Sequence, residues 1–186
     1  TLLRLISGVY MADEGEICVD GENCFNNPVI KSQIAFLGDT PYFLPQSNLL
    51  LMKNFYKSVY KNFDDATFEH LLSVFPLNKT ARISTMSKGM QRQAALILAI
   101  STKPRYLLLD EAFDGLDPVM RNLVKQVIYN DVLERRTTTI ITSHSLRELE
   151  DFCDMYALID NNTVSSSGDI ADRVSRLCKF QLAFVG

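Results

Sequence analysis

The sequence predicts an α/β fold: a mostly parallel sheet core carrying an inserted helical lobe. Short apolar runs alternate with stretches of helical periodicity, the pattern of strands buried on both faces and covered by helices. Three of these runs, IAFL, YLLL and TIIT, stop abruptly at polar residues. Between Ser47 and Ser101 helical patterns follow one another with no strand between them, which marks about 47–101 as the lobe and the remainder as sheet core, with residues 1–186 a single domain. A chain of 186 residues, 47% of them hydrophobic, is long enough to bury one proper core.

Taken in order, Leu2 to Ile6 has an amphipathic helical pattern ended by Gly8. GEICVDGE is a short strand closed by the Asp20-Gly21 turn signal. QIAFLGD holds a second strand at 34–37. Ser47 to about Phe75 reads as helix, broken within NFDDATFEHLL, where Asp64 or Asp65 can cap a second helix. Ser87 to Ile100 is a helix and YLLLD a buried strand. Asp117 as N-cap and Pro118 as first helical residue open the next helix, whose Met120, Leu123, Val124, Val127 and Ile128 share a face. TTTIITSH is a β-branched strand, SLRELEDFCD a helix, MYALID a strand, TVSSSGD a strand into a turn, and CKFQLAFVG a final strand. The chain starts inside a helical pattern without a cap or an initiating methionine and stops within a strand, so both ends read as cut.

The net charge of −3 leaves no basic footprint and argues against nucleic acid as the main partner. Cys18, Cys24, Cys153 and Cys178 lack zinc-like spacing and read as reduced thiols of a cytosolic protein. The longest purely apolar run, AALILAI, is far below the roughly 20 residues of a membrane span. Any membrane role therefore comes through a partner.

The chemistry gathers at strand ends. In RYLLLDEAFDGLDP an apolar strand runs into Asp110 and Glu111, with Asp114 and Asp117 close behind. Burying such carboxylates costs several kcal/mol each unless a metal, a ligand or solvent compensates. In an open parallel sheet, ligands bind at the carboxyl ends of strands. If the strands ending before Gly38-Asp39, Asp110-Glu111 and Ser143-His144 are neighbours, those acids and His144 converge on one edge. Two acids with a histidine suit a Mg²⁺-bound phosphate ester: Asp110 for the metal, Glu111 to orient and deprotonate a water, His144 for the terminal phosphate. Each piece alone has an ordinary reading, as a strand meeting a loop, a satisfied histidine, or a helix cap. Their order and spacing are what raise them together: Gly89 of MSKGMQRQ lies 21 residues before Asp110, and His144 lies 33 residues after Glu111.

That order resembles the ATP-binding subunit of ABC transporters, a P-loop NTPase fold, over essentially the whole chain. MSKGMQ sits where the family has its LSGGQ signature. YLLLDE looks like Walker B with the catalytic glutamate, GLDP like the D-loop, and ITSHS like the switch-histidine region. The resemblance implies ATP and Mg²⁺ as ligands, Asp110 as the metal residue, and Glu111 and His144 as catalytic residues. It places Ser87, Lys88 and Gly89 on ATP held by an opposite subunit, where a helix N-terminus favours phosphate. Asp117 belongs to the D-loop contact, and Asp39 takes the place where the family has a glutamine after the strand that IAFL matches, with Gln46 as the alternative. The implied assembly is a head-to-tail pair of ATPase subunits, homodimeric or heterodimeric, on an integral membrane permease at the cytoplasmic face of the membrane.

The departures from the family are specific. No G-x-x-x-x-G-K-[ST] occurs in these residues, and TLLRLISG resembles the helix that directly follows that motif. As given, the chain is expected to be inactive by itself. Lys88 replaces the first glycine of the signature, Met90 its glutamine, and Ala112 the proline after the glutamate. SKGM and DEAFDGLDP look like a bacterial exporter subgroup whose ATPase is a separate polypeptide. Residues 39–60 are the expected docking face, with Tyr42, Phe43, Phe55, Tyr56 and Tyr60 either filling a partner's groove or packing the lobe itself. Two other readings stand beside this one: a soluble ATPase of the translation-factor, ribosome-binding kind, and a non-hydrolysing module that donates only its signature.

Overall fold

The computed structural model describes residues 1–145 and 149–171. The chain divides into two compact units, Thr1–Thr142 and Ser143–Gly186.

The first unit contains the parallel sheet. Its strands β3 (Ile34–Leu37), β4 (Tyr106–Asp110) and β5 (Thr138–Thr142) lie in that order. Leu37 pairs with Leu109, Leu109 with Ile141, and Asp110 with Thr142, so all three carboxyl ends reach the same edge. Leu107, Leu108 and Leu109 are fully buried, as an apolar run covered on both faces must be. On one side Leu108 and Ile34 pack with Leu3 of α1 (Leu2–Ile6), Cys24, and Ile30 of α2 (Pro28–Lys31). Here α2 is an element that the sequence reading passed over. Asn27 caps it, accepting from Val29 and Ile30 N–H, and Pro28 opens it. The predicted GEICVDGE strand is instead a hairpin of two short strands, β1 (Cys18–Val19) and β2 (Glu22–Asn23), around the Asp20-Gly21 turn. Cys18 and Cys24 carry free thiols, and burial, first among its causes, pushes the Cys24 thiol up.

The lobe consists of α3 (Leu49–Val59), α4 (Asp65–Val74), a 3-10 turn at Ile83–Thr85, and α5 (Lys88–Ser101). Leu49, Met52, Phe68, Phe75, Ile83 and Leu98 are essentially inaccessible and form its core. Asp64 caps α4, and its N–H donates to the Ser101 carbonyl at 2.7 Å, joining the start of α4 to the end of α5. The aromatics of 39–60 divide between the two expected roles. Tyr42 and Phe55 are exposed, whereas Tyr56 and Tyr60 stack at 5.7 Å, and burial pushes the Tyr56 hydroxyl up to about 12.

After β4, α6 (Pro118–Arg135) begins at the predicted cap Asp117. It ends at Arg136 in the left-handed conformation. In α6, Arg135 holds the buried Asp131 and donates to the Pro104 carbonyl at 3.1 Å, anchoring the helix end to the loop before β4.

In the second unit, β6 (Met155–Asp160) and β7 (Thr163–Asp169) form an antiparallel hairpin with an irregularity at Leu158/Ile159. The expectation of a mostly parallel arrangement thus holds for β3, β4 and β5 but not for the β1–β2 hairpin or for this pair. The Asn161-Asn162 turn explains the latter: both residues take positive φ, which a tight connection between antiparallel strands requires. Of the predicted helix SLRELEDFCD, residues 146–148 lie outside the described residues. Leu149 and Glu150 are helical, and the chain turns at Asp151. CKFQLAFVG, with Cys178, also lies outside the described residues.

Candidate active site

Register brings three of the four predicted strand-end residues together. Asp110 is the last residue of β4, and its Oδ1 accepts a hydrogen bond from Thr142 Oγ1 of β5 at 2.6 Å. Glu111 follows, with its N–H donating to the same Thr142 oxygen at 3.2 Å and its φ at 51°, in the left-handed region. Asp39 stands two residues beyond β3, half exposed, and its Oδ1 accepts from Arg4 Nη2 at 3.3 Å. Arg4 also donates to the Tyr10 hydroxyl at 2.9 Å. That bond first, then the charges of Asp39 and Asp110, hold the guanidinium proton more tightly than usual. His144 lies two residues beyond β5, in the second unit.

Arg92 of α5 links these ends further. One guanidinium nitrogen donates to the Glu111 carbonyl, and the other donates to the Asp39 carbonyl at 2.8 Å. Arg4, Arg92 and Thr142 escaped the sequence reading. Thr142 had a usable signal, because it precedes Ser143-His144 at a strand end. Arg92 sits one turn past the signature, but nothing in the sequence names its two acceptors, 19 and 53 residues away.

The signature residues form a separate place. Ser87 caps α5, accepting from Met90 N–H at 3.2 Å, and Lys88 and Gly89 are its first helical residues. They line an open cleft of about 420 Å³ together with Gly115, Leu116 and Asp117 of the following loop. A Cβ at Gly89 would stand 3.5 Å from Leu116 Cδ2 and 3.6 Å from the Gly115 carbonyl. Asp110 and Glu111 do not line this cleft. Asp117 directs Oδ1 to the Val119 and Met120 N–H groups at 3.0 Å each, as a helix cap.

Among the described residues no group of three or more His, Cys, Asp or Glu side chains could hold a metal ion as a dedicated cage. A single strand-end carboxylate steadied by Thr142 instead fits Mg²⁺, which keeps most of its waters and is commonly held by one or two carboxylates plus phosphate oxygens.

Comparison with known proteins gives a consistent picture. A family model described as "ABC transporter" matches residues 1–114. The chain is 29% identical over 184 residues to "ABC transporter ATP-binding protein YtrB" of Bacillus subtilis, covering 99% of this chain and 63% of that protein. It is 27% identical to "Methionine import ATP-binding protein MetN" of Clostridium tetani, covering 92% of this chain and 57% of that one. The chain thus spans about three-fifths of the length of these relatives. A solved "Structure of ATP binding subunit of ABC transporter" superposes with a TM-score of 0.81 at 22% identity, covering 92% of this chain and 73% of that one, which shows a shared fold.

Proposed function

Because this chain belongs to the ABC transporter family, whose fold is an ATPase domain of the P-loop α/β kind, we propose that it works within an ATP-hydrolysing subunit that powers a membrane permease. The observation that carries the reading is the Asp110–Thr142–Glu111 arrangement at the sheet edge, with Asp39 on the neighbouring strand end. ATP is the substrate. Asp110 would hold Mg²⁺, which would supply charge neutralisation at the phosphates. Glu111 accepts the proton of the attacking water, and His144 contacts the γ-phosphate. Asp39, two residues beyond β3, takes the glutamine position of the family.

Ser87, Lys88 and Gly89, with Asp117 nearby, act on ATP held mainly by a second subunit. Their cleft, apart from Asp110 and Glu111, supports this. The exposed Tyr42 and Phe55 belong to the permease-docking face. No helix of the described residues is long and apolar enough to cross a membrane. The permease and a place at the cytoplasmic face of the membrane follow from the family's assembly. The SKGM and DEAFDGLDP motifs favour export. With no phosphate-loop motif among them, these 186 residues alone are expected to turn over ATP poorly.

The test is Glu111→Gln in the full protein. Gln keeps the shape but cannot take the proton. Hydrolysis should fall roughly 10²–10⁴-fold while ATP binding persists. Turnover near the unmodified rate would remove Glu111 as the base.

A further inference from the structure

We infer that Arg92 is a positioning residue for hydrolysis, holding the Glu111 backbone, and so its carboxylate, in place from the helical lobe. This rests on the reading of Glu111 as the base. Glu111 takes a φ of 51° at the end of β4. That conformation is unfavourable for a residue with neither glycine's missing Cβ nor the short side chain of Asn or Asp. Such a conformation persists only where its surroundings hold it.

Here both sides of the residue are held. Thr142 Oγ1 accepts its N–H at 3.2 Å, and Arg92 Nη1 donates to its carbonyl. The same guanidinium donates through Nη2 to the Asp39 carbonyl at 2.8 Å. A planar guanidinium offers two donors in fixed relative geometry, so one side chain of α5 ties together the loops after β3 and β4. Lys has a single compact head on a flexible stem and can serve one carbonyl well. Arg92 follows Ser87 and Gly89 by about one turn, so a shift of the lobe helix reaches the Glu111 backbone directly. Arg92 does not line the signature cleft, and its guanidinium bonds go to main-chain carbonyls, which argues for alignment rather than nucleotide contact.

The experiment uses the full protein with Mg²⁺-ATP and compares Arg92→Met, Arg92→Lys and Glu111→Gln. It measures kcat, KM, and the Kd of a fluorescent ATP analogue. Arg92→Met should lower kcat about 10- to 100-fold, since a 1 Å misplacement of a reacting group can cost about 10²-fold. Its nucleotide Kd should stay within about twofold, and Arg92→Lys should recover part of the loss, because one carbonyl is still served. A kcat for Arg92→Met within about twofold of the unmodified protein would overturn the inference, given the 10²-fold scale of misalignment. So would a loss appearing in Kd with kcat unchanged. If Arg92→Met does not fold, Arg92→Lys decides by the same criteria: lowered kcat at unchanged Kd supports the inference, and unchanged kcat overturns it. An inactive Glu111→Gln beside fully active Arg92 variants rejects only the role of Arg92. An active Glu111→Gln rejects the base reading itself.

Discussion

The Thr142 hydroxyl donates to Asp110 Oδ1 at 2.6 Å and accepts the Glu111 N–H at 3.2 Å. One hydroxyl supplies a donor and two acceptor lone pairs, so a single side chain serves both acids of the strand end. Replacing it with an apolar isostere leaves the Glu111 N–H without that acceptor. Thr142→Val should therefore cost about 1–3 kcal/mol in urea unfolding, and Thr142→Ser should restore most of it. Equal stabilities for Val and Ser at this position would show that the hydroxyl does not support the site.

Gly89 lies inside α5, and a Cβ there meets Leu116 Cδ2 at 3.5 Å and the Gly115 carbonyl at 3.6 Å, which is ordinary contact. Its φ is not positive, so Ala costs no backbone strain. Gly89→Ala should leave the fold as stable as before or better by up to about 1 kcal/mol, since Gly is a poor helix residue. The same change should lower ATP turnover in the full protein if phosphate approaches this backbone. A destabilised but fully active variant would reverse both halves of the expectation.

The shared-site reading makes a further prediction for mixed dimers of full subunits, one carrying Gly89→Glu and the other Glu111→Gln. If the signature acts across the interface, both defects fall on one composite site and leave the other intact, so some hydrolysis should return. If each acts within its own subunit, both sites are dead. Mixing each variant with unmodified protein first establishes that one intact site turns over alone. With that control met, a silent mixed dimer would count against the shared site.

Asp64 caps α4 by accepting from Thr67 Oγ1 at 2.6 Å, Thr67 N–H at 3.1 Å and Ala66 N–H at 3.3 Å. These bonds, the Thr67 hydroxyl first, hold its carboxyl below the usual range. The folded-state pKa is thus lower than the unfolded value of about 3.9. Its stabilisation is complete above that value and fades as pH falls through the folded pKa. Asp64→Ala should cost about 1 kcal/mol at pH 7. Asp64→Asn keeps a cap and should flatten the acid limb of the stability curve. Identical acid limbs for the unmodified protein and the Asp64→Asn variant would refute the assignment.

Phe68 and Phe55 separate the lobe's core from its surface. Phe68 is fully buried, with the Lys53 ammonium 4.8 Å from its ring centre, whereas Phe55 is 44% exposed. Phe68→Ala should cost about 3–5 kcal/mol. Phe55→Ala should stay within about 0.5 kcal/mol in the isolated protein and, on the proposed docking role, weaken assembly with a permease. A large stability loss at Phe55 would move it from the docking face into the core.

Much of this architecture was legible because its signals are local. Asp117-Pro118 set the start of α6, and Ser87 set the start of α5, since a cap bonds only to backbone two or three residues away. YLLLD was readable as a buried strand and IAFL as a strand for a similar reason, their apolar runs being unbroken. The four-residue helix α2 was missed although Asn27-Pro28 signals it, because so short an element shows no periodicity.

By itself, then, the sequence determined the family, the order of the longer elements and the candidate acids, since caps, apolar runs and motif spacing act within a few residues of chain. Only the tertiary structure decided that β3, β4 and β5 are neighbours in a register that aligns Asp110 with Thr142. It alone also decided that Tyr56 turns inward while Phe55 does not, and that one Arg92 guanidinium reaches carbonyls 19 and 53 residues away. Hydrogen bonds between distant strands and side chains carry no periodic signature in the chain; they exist only once packing has brought their partners together.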